Sequence, residues 1–102
     1  MNYAIKPEAL REFCAKACEK FGYSPEYAAI TAEVLTESEM MGTHSHGTKN
    51  LVNYIRKGLA GGIRIDADIR ILKEGPAWAL MDADASIGMV PAYRSMELAI
   101  KK

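Results

Sequence analysis

Residues 63–72 read IRIDADIRIL, and the fold class turns on them. Ile63, Ile65, Ala67, Ile69 and Ile71 alternate with Arg64, Asp66, Asp68 and Arg70. A period of two sends one set of side chains to each face of an extended chain. The alternation predicts one β-strand, or two short ones, with one dry face and one wet face. Upstream the period is helical, and GLAGGI at 58–63 marks the change. Downstream, EGPA (74–77) reads as a turn and WALMDAD (78–84) as a second strand ending in acidic turn residues. Helical character returns from about Ile87 to Lys102, with Val90, Tyr93, Met96, Ala99 and Ile100 as apolar positions.

Three helices are predicted ahead of this region. The first runs from about Pro7 to Phe21: Pro7 suits a first turn, Glu8 complements the dipole, and Leu10, Phe13, Cys14, Ala17 and Phe21 form an apolar stripe that Gly22 ends. Ser24-Pro25-Glu26 starts the second, with Ser24 as N-cap. Its buried side is expected to be Tyr27, Ile30, Val34, Leu35 and Met41, with Glu33, Glu37 and Glu39 mostly solvated and Gly42 as the stop. So short a connection makes the two an antiparallel hairpin. A third, shorter helix starts within SHGTKN (45–50) and turns Leu51, Tyr54 and Ile55 inward. The expected fold is therefore α+β in one domain over 1–102, helical to about residue 60 and β-β-α from 61. No glycine, asparagine or proline closes the last helix at Lys102, so the chain reads as a piece of something longer.

Composition narrows the function. Thirteen basic residues balance thirteen acidic ones, which gives no electrostatic case for nucleic acid or an anionic membrane. No apolar run approaches the roughly 20 residues of a bilayer span. The start, MNYAIKPEAL, lacks the pattern of a secretory leader, and a cytoplasmic location is expected. Cys14 and Cys18 fall on one helix face. That spacing holds Cβ atoms about 5–6 Å apart, beyond the roughly 3.5–4.5 Å of a disulfide. They read as small buried hydrophobes in a reducing compartment.

Both histidines of the chain lie in MMGTHSHGTKN, residues 40–50. Three readings compete. As a metal pair, His44 and His46 lack a third protein ligand at a suitable spacing, so no metal is expected. As an acid/base catalyst, a histidine exchanges a proton near neutral pH without large tuning. Ser45 could orient His46, Gly47 permits close approach, and a helix beginning here would offer free N–H groups to an anion. As plain loop residues, both are solvated. Ser45 as a nucleophile lacks the G-x-S-x-G setting.

The histidine loop and the chain beyond it resemble a known family. MMGTHSHGTKNLVNYIRKGLAGGI (40–63) and IRILKEGPAWALMDADASIGMVPAYRSMELAI (69–100) are similar to the type-2 malate/L-lactate dehydrogenases, NAD(P)-dependent 2-oxoacid reductases unrelated to the Rossmann lactate dehydrogenases. The matching features occur in order: Gly42, Ser45-His46-Gly47, Tyr54, Gly58, Gly61-Gly62, Gly75-Pro76-Ala77, Asp82 and Gly88. The resemblance implies His46 as proton donor/acceptor to a 2-hydroxy or 2-oxo acid, with Ser45 supporting it, and NAD or NADP as hydride carrier. It also implies a homo-oligomeric parent enzyme. Many members carry an arginine four residues after this histidine. Here that position is Asn50, preceded by Lys49, and these two are the candidate substrate-binding residues.

Members are much longer than 102 residues, and the cofactor domain would lie in the missing part. The expectation is an N-terminal portion of such an enzyme, inactive alone and dependent on the remainder as partner. The alternative is a non-catalytic helical interaction or assembly module, with Met40, Met41, Trp78, Met81, Met89 and Met96 as candidate patches.

Overall fold

The structure, a computed structural model, describes residues 4–102; the first three residues of the opening segment lie outside them. Helix α1 (Pro7–Lys20) and helix α2 (Pro25–Met40) form the expected hairpin. Ser24 Oγ accepts the Tyr27 N–H at 3.2 Å, the predicted cap. Gly22 turns the chain at φ +102°, a conformation other residues rarely adopt.

Helix α2 is the axis of the fold. Tyr27, Ala28, Ile30, Thr31, Ala32, Leu35 and Thr36 are all buried, so more than one face of this helix is covered. Its small residues let neighbours come close, and Cys14 and Cys18 of α1 pack here, each 1% exposed. The predicted stripes of α1 and α2 were too generous at three points: Phe13 is 69% exposed, Phe21 41% and Met41 76%. The buried face of α1 is carried by the cysteines instead. Helix α3 (Leu51–Leu59) buries Leu51 and half-buries Tyr54 and Ile55, as expected.

The IRIDADIRIL segment divides in two. Strand β1 starts only at Arg70 and runs to Gly75; residues 63–69 are not a strand. The alternation there is nonetheless real in burial: Ile63, Ile65, Ala67 and Ile69 turn toward the core while Arg64, Asp66 and Asp68 stay exposed. This segment, bent at Ile63 and turning at Ile65-Asp66, is a strap laid on the helices and fastened by single bonds rather than by a ladder. Tyr27 Oη donates to the Ala67 carbonyl at 2.9 Å. The Arg64 N–H reaches Ala85 O at 2.8 Å, and Asp84 accepts from Asp68 N (2.9 Å) and Arg64 Nη1 (2.8 Å). Asp84 and Ala85 adopt φ of +50° and +55°, in the left-handed region, and these bonds hold them there.

Strand β1 pairs antiparallel with β2 (Trp78–Asp82) across the two-residue turn Pro76-Ala77, with an irregularity between Ile71 and Lys73. Helix α4 (Met89–Lys101) buries Val90 and lies against one face of the hairpin, where Ser95 Oγ donates to Met81 Sδ at 3.4 Å. Arg94 sits 5.0 Å over the Tyr27 ring and donates to Glu26 at 2.6 Å, which ties α4 to the start of α2. Leu72, Trp78 and Leu80 of the hairpin, and Met96 and Ile100 of α4, stay exposed. Among the described residues, no helix is long and apolar enough to cross a membrane.

Leu35→Ala, at a site 1% exposed, is expected to destabilise the chain by about 2–5 kcal/mol, read from denaturant unfolding. Asp84 is held below the usual carboxylate range, chiefly by the Asp68 N–H and also by Arg64 and Arg70. A depressed carboxylate stabilises above its unfolded pKa, and the contribution is lost as pH falls through the folded value. Asp84→Asn should therefore melt below the parent near neutral pH, and the two melting temperatures should converge in acid.

Candidate active site

Gly42, at φ +81°, ends α2 and sends the chain into two tight 3₁₀ turns, His44–His46 and Thr48–Asn50, before α3 begins at Leu51. Each turn closes on short-range bonds: His46 N to Thr43 O (3.1 Å), Gly47 N to His44 O (3.2 Å) and Asn50 N to Gly47 O (3.1 Å).

The anion-friendly helix start expected at the histidines is not there. Helix α3 begins five positions after His46, and the amides of His46, Gly47, Thr48 and Asn50 are already bound. The Thr48 N–H is taken by the chain's own carboxylate, Glu39 Oε1, at 2.8 Å. The same oxygen accepts from Thr48 Oγ1 at 2.9 Å, and Oε2 accepts from His44 Nδ1 at 2.5 Å. Glu39 is thus half-buried and bonded on both oxygens, not solvated as its place among Glu33, Glu37 and Glu39 implied. Those bonds, His44 first and then Thr48, hold its carboxyl below the usual range.

The predicted site residues share this loop. Ser45 Oγ and His46 Nδ1 stand 2.9 Å apart, and both side chains are exposed. The Asn50 amide donates to the Ser45 carbonyl at 2.5 Å, so Asn50 braces the serine's backbone. Asn50 Oδ1 accepts from Asn53 at 3.4 Å. Lys49 is exposed beside it. With Nδ1 facing Ser45, the Nε2 of His46 is the ring nitrogen left outside that contact. When Nδ1 carries its proton to Ser45 Oγ, Nε2 is a base in the neutral ring and an acid in the charged one.

The two imidazoles of the metal reading bond to different partners, Glu39 and Ser45. Among the described residues, no three or more His, Cys, Asp or Glu side chains gather as a metal site would require. The cysteines stay apart from the loop chemistry: both are free thiols, and burial first, then Cys14, pushes Cys18 up to about 11. The glycine-rich segment after α3 uses its amides to close that helix, with Gly61 N on Gly58 O (3.2 Å) and Gly62 N on Lys57 O (2.8 Å).

Sequence reasoning missed Glu39 and Thr48. One signal was available: α2 has acidic residues and no basic one in its last turn, where the dipole favours cations. A carboxylate in that place is held by something else.

The histidine loop is thus an exposed turn between α2 and α3 on an α+β scaffold. The malate/L-lactate dehydrogenase family model matches residues 5–102, and the chain belongs to that family. It is 39% identical over 102 residues to a malate dehydrogenase of Pyrococcus horikoshii, covering 99% of this chain and 28% of that protein. It is 40% identical over 98 residues to an L-sulfolactate dehydrogenase of Methanocaldococcus jannaschii, covering 96% and 28%. A ureidoglycolate dehydrogenase (NAD(+)) of Escherichia coli is 34% identical over 97 residues, covering 95% and 28%. The solved P. horikoshii structure superposes with a TM-score of 0.91 over 97% of this chain and 28% of its own, at 36% identity. The chain thus spans about 28% of the length of these relatives.

If Ser45 orients His46, Ser45→Ala should shift the tautomer balance of that ring. The check is the ¹⁵N imidazole spectrum, legible because the chain has only two histidines.

Proposed function

We propose that this chain forms the N-terminal part of an NAD- or NADP-dependent oxidoreductase acting on a 2-hydroxy/2-oxo acid such as malate or lactate, with His46 as proton donor and acceptor. The observation that carries this reading is the Ser45–His46 pair at 2.9 Å on a braced, exposed loop, in a member of this family. In the oxidation direction, neutral His46 takes the substrate hydroxyl proton at Nε2 while its Nδ1–H rests on Ser45 Oγ. In reduction, the imidazolium returns that proton to the oxygen of the former carbonyl. Ser45 accepts from Nδ1 in both directions, so it keeps the ring's orientation and tautomer.

Lys49 is the candidate counter-charge for the substrate carboxylate, a point charge without an arginine's planar fork. Asn50 holds the loop with one amide proton and has another to offer a substrate. On this reading the nicotinamide cofactor would be held by the remaining polypeptide, which would supply the cofactor domain; the glycines after α3 spend their amides closing that helix. We take residues 1–102 as one portion of that larger domain, helical to residue 60 and β-β-α beyond. A homo-oligomer in the cytoplasm, with a small acid as substrate, completes the reading; the relatives' names support the substrate class.

The test is a chimera in which this chain replaces the matching segment of the P. horikoshii relative, assayed with malate, lactate and sulfolactate and either cofactor. Turnover is expected, and His46→Ala should lower kcat by about 10²–10⁴, the usual worth of a placed general acid/base. The 102 residues alone should turn over none of these acids. Full turnover after His46→Ala, or turnover by the isolated chain, would overturn the reading.

A further inference from the structure

We propose that Glu39 is the positioning residue of the histidine loop, fixing through Thr48 the run of backbone that carries Ser45 and His46. This deepens the assignment of His46 as the acid/base group and rests on it.

Glu39 lies on α2, the buried axis, and its carboxylate bridges both 3₁₀ turns: Oε2 takes His44 from the first, and Oε1 takes the N–H and hydroxyl of Thr48 from the second. Ser45, His46 and Gly47 are the residues between those two anchor points. The turns' own i→i+3 bonds are poorly aligned by nature and fix little. Charge-assisted bonds to one carboxylate are stronger and shorter. They tie an otherwise exposed loop to a helix whose position the core decides.

Gly47 supports the same reading. Its φ is −97°, which any residue tolerates, so conformation does not demand glycine. Space does: a Cβ at 47 would overlap the Glu39 carboxylate. The glycine after the histidine is there to let Glu39 pass. In the last turn of α2, moreover, an acidic side chain works against the helix dipole. The three bonds give it a reason to stay.

The test uses the 102-residue chain, its ¹⁵N imidazole signals and amide exchange at Thr48, with three variants. Glu39→Ala should raise Thr48 exchange by about 10-fold or more, as expected when a hydrogen bond to a charged group is lost, and should move the His46 ring signals toward those of a free imidazole. Glu39→Gln keeps an oxygen for Thr48, so it should retain the Thr48 protection and the His46 signature while altering His44. Gly47→Ala should reproduce the Glu39→Ala pattern with Glu39 still in the chain, because the added Cβ displaces its carboxylate from Thr48.

Unchanged His46 signals in Glu39→Ala or Gly47→Ala would overturn the proposal. So would Glu39→Gln behaving like Glu39→Ala, since the Thr48 route would then not be the operative one. If Glu39→Ala fails to fold, Gly47→Ala decides alone. None of these readouts needs substrate, so this proposal and the acid/base role of His46, tested by the chimera, stand or fall separately.

Discussion

Tyr27, Ala28, Thr31, Ala32, Leu35 and Thr36 bury most of α2 apart from one open face at Glu26, Ala29, Glu33 and Glu37, and that constraint locates nearly everything else. The cysteines of α1 close one side. At the N-terminal end, Tyr27 holds the strap through the Ala67 carbonyl and carries Arg94 of α4 on its ring. At the C-terminal end, Glu39 reaches out to the histidine loop. A helix this well packed behaves as a rigid rod, so the strap and α4 at one end and the histidine loop at the other share one frame.

Much of this was legible. Ser24-Pro25-Glu26 marked the start of α2, and glycines at 22 and 42 marked the stops, because caps and left-handed turns are local chemistry that neighbours seldom override. Cys14 and Cys18 read correctly as core. The errors share a cause. Phe13 and Met41 are as apolar as any core residue, and only the packing of the whole chain determines that they lie outside its core. IRIDADIRIL alternates because alternate side chains are buried, and burial alone writes a period of two. Whether the backbone also finds a partner strand depends on Asp84 and Ala85, some twenty residues away. Glu39 was hidden similarly: a run of glutamates looks solvated until Thr48 and His44 fold back on one of them.

The replacement of a helix N-terminus by Glu39 bears on the chemistry. An unfilled N-terminus would attract a substrate carboxylate by itself. Here the Thr48 amide is already neutralised by an internal anion, which also places negative charge near the site. On the proposed reading, electrostatics on this loop therefore favour proton transfer at His46 over anion capture, and recognition of the substrate carboxylate falls to Lys49 or to groups outside these 102 residues.

Exposure completes that division. Preorganised groups act most strongly where water is excluded, because surrounding solvent weakens every field they produce. His46 and Ser45 lie open on the surface of this chain, and so do Leu72, Trp78 and Leu80 on a hairpin of only two strands. Isolated two-stranded hairpins are marginal in water, and α4 supports only one face of this one. The relatives carry more than twice as much further chain as this segment contains. Within this segment the two lie apart: the histidine loop follows the C-terminal end of α2, while α4, which supports the hairpin, is tied by Arg94 to the start of that helix.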